Sequence, residues 1–216
     1  MGAEAPRTKP TLRGVSHEVG FYAALGVGAA TVLSTDPGRP RAAAIVFASC
    51  VAACFGASAL YHRPTWTPRR RAWLARVDHA ALYLLIAGTY TPIGLLVLSA
   101  GWAVPVLSIV WGGAVAAILL KLFWFGCPKW VPAAIAVGLG WSGVAAVSEL
   151  LAVPAPGLVL IVLGGLLYTA GALVYVRRSP DPVPGTFGYH EVFHALTLAA
   201  VACHYAAIVF FVLPRA

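Results

Sequence analysis

Charge is what this chain has least of. Only 10% of its 216 residues are Asp, Glu, Lys or Arg, far below the roughly 25% of a soluble domain, and that scarcity excludes an ordinary water-soluble fold. Polar stretches long enough for a separate soluble domain are missing too. The chain therefore divides into a mobile basic tail over residues 1–13 and a single membrane domain over residues 14–216. No short cleavable apolar segment with a small-residue site follows the tail, which argues against a signal peptide. The four cysteines, Cys50, Cys54, Cys127 and Cys203, form no CxxC pair and fall mostly inside apolar runs. That pattern suits small apolar core residues, not a disulfide framework. No internal repeat stands out.

What is present is apolar sequence, 60% of the chain. It falls into seven runs, at 16–34, 42–62, 74–99, 102–121, 130–150, 156–176 and 188–213. Each is near the roughly 20 residues that carry a helix across about 30 Å of hydrocarbon. Breaks such as Asp36-Pro37-Gly38-Arg39-Pro40 and Pro154-Ala155-Pro156 separate them. Continuous apolar character excludes half-buried strands. The expected fold is all-α, an integral membrane bundle of seven transmembrane helices.

Charge then orients the bundle. The formal net charge is +8, but the basic residues lie in short loops between apolar runs, so nucleic acid is not the implied partner; the lipid bilayer is. The tail and the loops after the second, fourth and sixth runs hold twelve of the fifteen Lys and Arg. By the positive-inside rule the N-terminus is cytoplasmic and the C-terminus outside, as in a multi-pass protein of the cell membrane. Trp66, Trp73, Trp102, Trp124, Trp130 and Trp141 mostly fall near run ends, as an aromatic belt requires.

That topology gathers polar residues at one depth. His190 and His194, four residues apart, share a helix face about one turn from each other, a spacing that suits two imidazoles on one metal ion. The second run ends in Ser58-Ala59-Leu60-Tyr61-His62, and the third begins near Val77-Asp78-His79. With the N-terminus inside, Ser58, His62, Asp78, His190 and His194 all lie near the cytoplasmic face. A helix cap or a headgroup-level histidine accounts for any one of them taken singly. Five at one level are better accounted for by a shared site. An open zinc site takes three protein ligands and a water. His62, His190 and His194 can supply the nitrogens. Asp78 could bind the metal or act as base toward the water, and Ser58, one turn deeper than His62, could hydrogen-bond the water or polarise a carbonyl.

Three stretches carry a family resemblance: Ser58-x-x-x-His62, the run from Asp78-His79-Ala80-Ala81 through Tyr90-Thr91-Pro92, and His190-x-x-x-His194. With Ser16-His17-Glu18-x-Gly20 at the start, they resemble the bacterial hemolysin III family. That family belongs with the progestin and adipoQ receptors and looks distantly related to alkaline ceramidases. The resemblance implies seven helices, a cytoplasmic N-terminus and zinc near the cytoplasmic face. The implied ligands are His62, His190 and His194, with Asp78 and Ser58 at the water.

Other candidates fit less well. His79 points about 100° away from Asp78 around the helix and reads as a packing or hydrogen-bonding residue. His204 lies about 15 Å deeper than His194 and is expected to bond another helix. His17 and Glu18 could line the entrance, though interfacial solvation explains them as well. Cys50, Cys54, Ser58 and His62 step by four, but Cys50 ends roughly 18 Å from His62, so the ladder cannot close on one ion. Glu149 is expected at the interface near the outer end of the fifth run. His190-Glu191-x-x-His194 spells the zinc-protease motif. The membrane setting and a third ligand on a distant helix argue against a protease.

Three functions compete. The first is a zinc-dependent membrane hydrolase acting on a lipid amide or ester. The second is a non-enzymatic, receptor-like or membrane-homeostasis protein in which zinc pins helices together. Third is a pore-forming hemolysin, which the sequence supports poorly, because a pore needs polar residues at several depths.

Overall fold

The computed structural model describes residues 9–124 and 126–215. The helices are α1 (Val15–Ser34), α2 (Arg39–His62), α3 (Pro68–Leu96), α4 (Ala100–Phe123), α5 (Trp130–Trp141), the short α6 (Val147–Leu150), α7 (Ala155–Arg177) and α8 (Tyr189–Ala207). Counted with its continuation α6, α5 makes seven long helical segments, one for each apolar run. Among the described residues there is no strand, only an isolated bridge between Val183 and Phe187.

Among the described residues, six segments are long and apolar enough to cross a membrane: Arg39–His62, Pro68–Leu96, Ala100–Phe123, Trp130–Leu150, Ala155–Arg177 and Tyr189–Arg215. The seventh, α1, has 20 residues, but His17 and Glu18 in its first turn dilute its apolar character. Apolar residues cover both sides of these helices. On α7, Val159, Leu163, Leu166 and Leu173 stay exposed, as in helices whose outer face meets lipid. The chain is a multi-pass membrane protein.

α3 sits at the centre. One of its faces, with Ala81 and Leu85, joins a core that also holds Phe47, Val51 and Phe55 of α2 and Val201 of α8. The opposite face, with Tyr83 and Ala87, packs on Val106, Val110, Ala114 and Ala117 of α4. In lipid the apolar environment offers little drive for helices to associate, so small residues that permit close contact matter most. Gly88 is one example. A Cβ added there would lie 2.5 Å from Cys50 Cβ, so the α2–α3 contact requires glycine.

Two expectations about extent need correction. α3 starts at Pro68, six residues before the apolar run, because proline suits the first helical turn and Arg69, Arg70 and Arg71 are good helix formers. The fifth run is not one continuous α-helix. It passes through a tighter 3₁₀ segment, Ser142–Ala146, between α5 and α6. Tyr90 of α3 causes the break. Its hydroxyl donates to Gly140 O and accepts from Gly143 N at 3.0 Å, inserting a side chain into the α5 ladder.

Residues 1–8 of the basic tail lie outside the described residues. Lys9 to Arg13, expected to be mobile, are instead tied down. Thr11 N donates to Gly185 O, Lys9 Nζ to Arg63 O, and Arg13 pairs with Glu191. Gly14 makes this strap possible: its φ is +81°, and a Cβ there would lie 2.6 Å from His62 Cβ.

Candidate metal and lipid site

The C-terminal end of α2 and the N-terminal ends of α3, α8 and α1 meet at one end of the bundle. Spacing of four along α2 stacks Ser58 under His62, and the same spacing on α8 stacks His194 under His190. His62, His190 and His194 can each offer one nitrogen, and those three atoms lie within 4.8 Å of one another. The Nε2 atoms of His62 and His190 are 3.1 Å apart. Two nitrogens held about 2.0–2.1 Å from a tetrahedral zinc would be about 3.3 Å apart. His194 is 2% exposed, and its Nδ1 is buried with no hydrogen-bond partner. An orphan nitrogen beside two converging ones is a donor set that a divalent transition metal satisfies.

The other two expected residues are close by. Asp78 Oδ2 is 3.7 Å from His62 Nε2, and Ser58, 2% exposed, stands beside the Asp78 carboxylate. All five residues read from the sequence thus gather in one place. His79 does not join them; its Nδ1 lies 2.5 Å from Ala75 O on its own helix. Nor does His204, whose Nε2 is 3.0 Å from Ile161 O on α7. Glu191 is also spent elsewhere: it accepts from Gly188 N at 2.8 Å, caps α8 and pairs with Arg13. The H-E-x-x-H spelling therefore lacks a free glutamate. Glu149 accepts from Ser99 N and Ser99 Oγ at the start of α4, a polar contact between helix ends.

His17, which the sequence offers only as an entrance residue, belongs to the cluster itself. It is 3% exposed and stacks on His194, with ring centroids 3.8 Å apart. The signal available was a histidine at the right depth on α1, without any indication of which way it faced.

Beneath the histidines lies a cavity of about 360 Å³, within the range of small-molecule pockets. Its walls include Leu82, Ile86 and Tyr90 of α3, Ala136 of α5, Tyr168 of α7 and Phe193 of α8. Tyr90 stands twelve residues along α3 from Asp78, about 18 Å at 1.5 Å per residue. The cavity is thus a deep, mainly apolar slot with the histidines at its head.

Comparison with known proteins identifies the family. A family model described as Haemolysin-III related matches residues 6–205. The chain belongs to that family. It is 32% identical to the hemolysin-3 homolog of Bacillus subtilis over 136 residues, covering 62% of this chain and 61% of the relative. Hemolysin-3 of Bacillus cereus is 32% identical over 145 residues, 65% of this chain and 62% of that protein. The matched stretches thus span about three fifths of the length of these two bacterial relatives. A heptahelical transmembrane protein of rice, ADIPOR2, is 29% identical over 201 residues, 79% of this chain and 82% of the relative. Membership fits the all-helical, membrane-spanning fold.

Proposed function

We propose that this family member is a zinc-dependent membrane hydrolase that cleaves a lipid amide or ester. The observation that carries the reading is the juxtaposition of three convergent histidines with a carboxylate and a deep apolar slot. In this reading α1 also spans, making seven helices, in keeping with the word heptahelical in the rice relative's name. Loop charge sets the N-terminus and the histidine end in the cytoplasm and the C-terminus outside, with the cell membrane as the location.

His62, His190 and His194 hold the metal. Zinc bound there supplies Lewis acidity toward a carbonyl and toward water. Asp78, beside His62, takes the proton from the attacking water and returns it to the leaving group. Ser58 donates to that carboxylate and fixes which oxygen faces the reaction. The apolar slot orients the acyl chain so that its carbonyl stays at the level of the histidines.

The test is release of fatty acid from lipid amides and esters by purified, zinc-loaded protein. An Asp78→Asn variant that keeps its metal should lose about 100-fold or more in rate, the scale of general acid–base catalysis. A folded, metal-loaded wild type that releases nothing would sink the hydrolase reading. It would favour a second one, motivated by His62 lying on α2 and the other ligands on α8. In that reading the metal ties the two helices together structurally, as in a receptor-like protein.

A further inference from the structure

The head of the slot is ringed by positive charge that the described residues neutralise only in part. Lys9, Arg13, Arg63, Arg71 and Lys129 gather at the histidine end. Burial and the nearby charges of Arg63, Arg71 and Arg13 draw the Lys9 ammonium below the usual lysine range. Two of the five have carboxylate partners, Arg13 with Glu191 and Arg63 with Glu18. Among the described residues, Arg71 and Lys129 have none.

Those two cations line the cavity, and tyrosine rings hold them there. Arg71 Cζ lies 5.8 Å from the ring centre of Tyr61. Lys129 Nζ lies 4.6 Å from that of Tyr175 and 5.6 Å from that of Tyr189, whose hydroxyl is 3.5 Å away. The same three tyrosines line the cavity. Among the described lining residues Asp78 is the only carboxylate, and a divalent metal at the histidines would more than cancel it. A neutral lipid would leave this excess unanswered. Positive-inside topology accounts for cations such as Arg177, which do not line the slot, but not for two set against its tyrosine walls.

We propose that the slot takes a lipid whose headgroup bears an oxyanion, phosphate or carboxylate, bound by Arg71 and Lys129, with its chain running down toward Tyr90. This rests on the slot being the lipid site of the proposed hydrolase and narrows that enzyme's substrate class to anionic lipids.

The test uses the full-length, zinc-loaded Asp78→Asn protein in neutral phosphatidylcholine nanodiscs, so that probes bind without turnover. Three probes share one oleoyl chain: monooleoylglycerol phosphate, oleate and neutral monooleoylglycerol. Affinity is read from intrinsic tryptophan fluorescence, Trp141 lining the slot. Charge-assisted hydrogen bonds predict about ten-fold tighter binding of an anionic probe than of the neutral one. A preference for the phosphate alone, or for both anions equally, supports the proposal and identifies which oxyanion is read. Lys129→Gln and Arg71→Gln should each erase most of the preference, Lys129→Arg should keep it, and Arg177→Gln should leave it unchanged. Equal affinity for all three probes overturns the proposal. So does an Arg177→Gln loss as large as that of Lys129→Gln, which would assign the effect to general surface charge. If wild-type protein hydrolyses nothing while the charge preference holds, the hydrolase reading falls and the anionic site stands. Hydrolysis of a neutral amide without any charge preference gives the reverse.

Discussion

His17 lies flat on His194, the ring centroids 3.8 Å apart and the planes 9° from parallel. The stack brings α1 into the histidine cluster, although His17 is not one of the three residues whose nitrogens lie within 4.8 Å of one another; both its nitrogens are buried with no hydrogen-bond partner. Its contribution is a flat face against which the His194 ring is held. Outer partners that orient a metal ligand typically change affinity by about 10–100-fold. His17→Ala should therefore weaken zinc binding by at least about ten-fold, measured by competition with a chromophoric chelator. His17→Phe keeps the face and removes two unsatisfied nitrogens, so it should retain zinc affinity and melt no lower than wild type. Equal zinc affinity in His17→Ala and wild type would show that the stack positions nothing.

The strap over the site depends on an ion pair of unequal partners. The Glu191 side chain is 2% exposed and that of Arg13 21%. Removing the arginine leaves a carboxylate buried without its counter-charge, whereas removing the glutamate leaves an arginine that can turn to water. Arg13→Ala should cost about 3 kcal/mol, and Glu191→Gln clearly less, because the amide can still accept from Gly188 N. Thermal melts of both variants in the same detergent check the order. A larger loss in Glu191→Gln would contradict it.

Which of these features could be read from sequence follows from the range of the interactions behind them. The seven helical segments and the convergence of His62, Asp78, His190 and His194 rest on local spacing plus loop charge, both written along the chain. The interruption of α5 is different, because it comes from the Tyr90 hydroxyl on α3, and no local preference around Ser142 announces a side chain arriving from elsewhere. His17 was visible as a residue but not as a neighbour of His194, because α1 is apolar on every side and its sequence does not say which face turns inward. The strap is not legible in the sequence because Lys9 to Arg13 look like any basic tail; partners at Glu191, Gly185 and Arg63 give it a place.

Gly88 sets how closely α2, which carries His62, approaches α3, which carries Asp78. An alanine Cβ would meet Cys50 Cβ at 2.5 Å and Cys50 Sγ at 2.7 Å. Gly88→Ala should destabilise the protein by about 1–3 kcal/mol, the range for overpacking a tight interior. Since the clash includes the Cys50 Cβ itself, adding Cys50→Ala should give little relief, while adding Cys50→Gly should recover part of the loss. Melting temperatures of the single and double variants distinguish these outcomes. Full rescue by Cys50→Ala would mean that the sulfur alone sets the spacing.

Metal removal tests whether the histidines act together. A ligand that binds only the folded state stabilises it by about 2.7 kcal/mol at one hundred times its dissociation constant, so a chelator should lower the melting temperature of zinc-loaded wild type. His62→Ala and His190→Ala each delete a donor from the cluster. Each should start near the melting temperature of the chelated wild type and show no further fall when chelator is added. Ser58→Ala is the control at the same depth. It removes a hydroxyl that contacts Asp78 and is not one of the three donors, so its chelator response should match wild type. Because His62 sits on α2 and His190 on α8, a chelator effect that survives in both histidine variants would place the metal outside this cluster and undo the site.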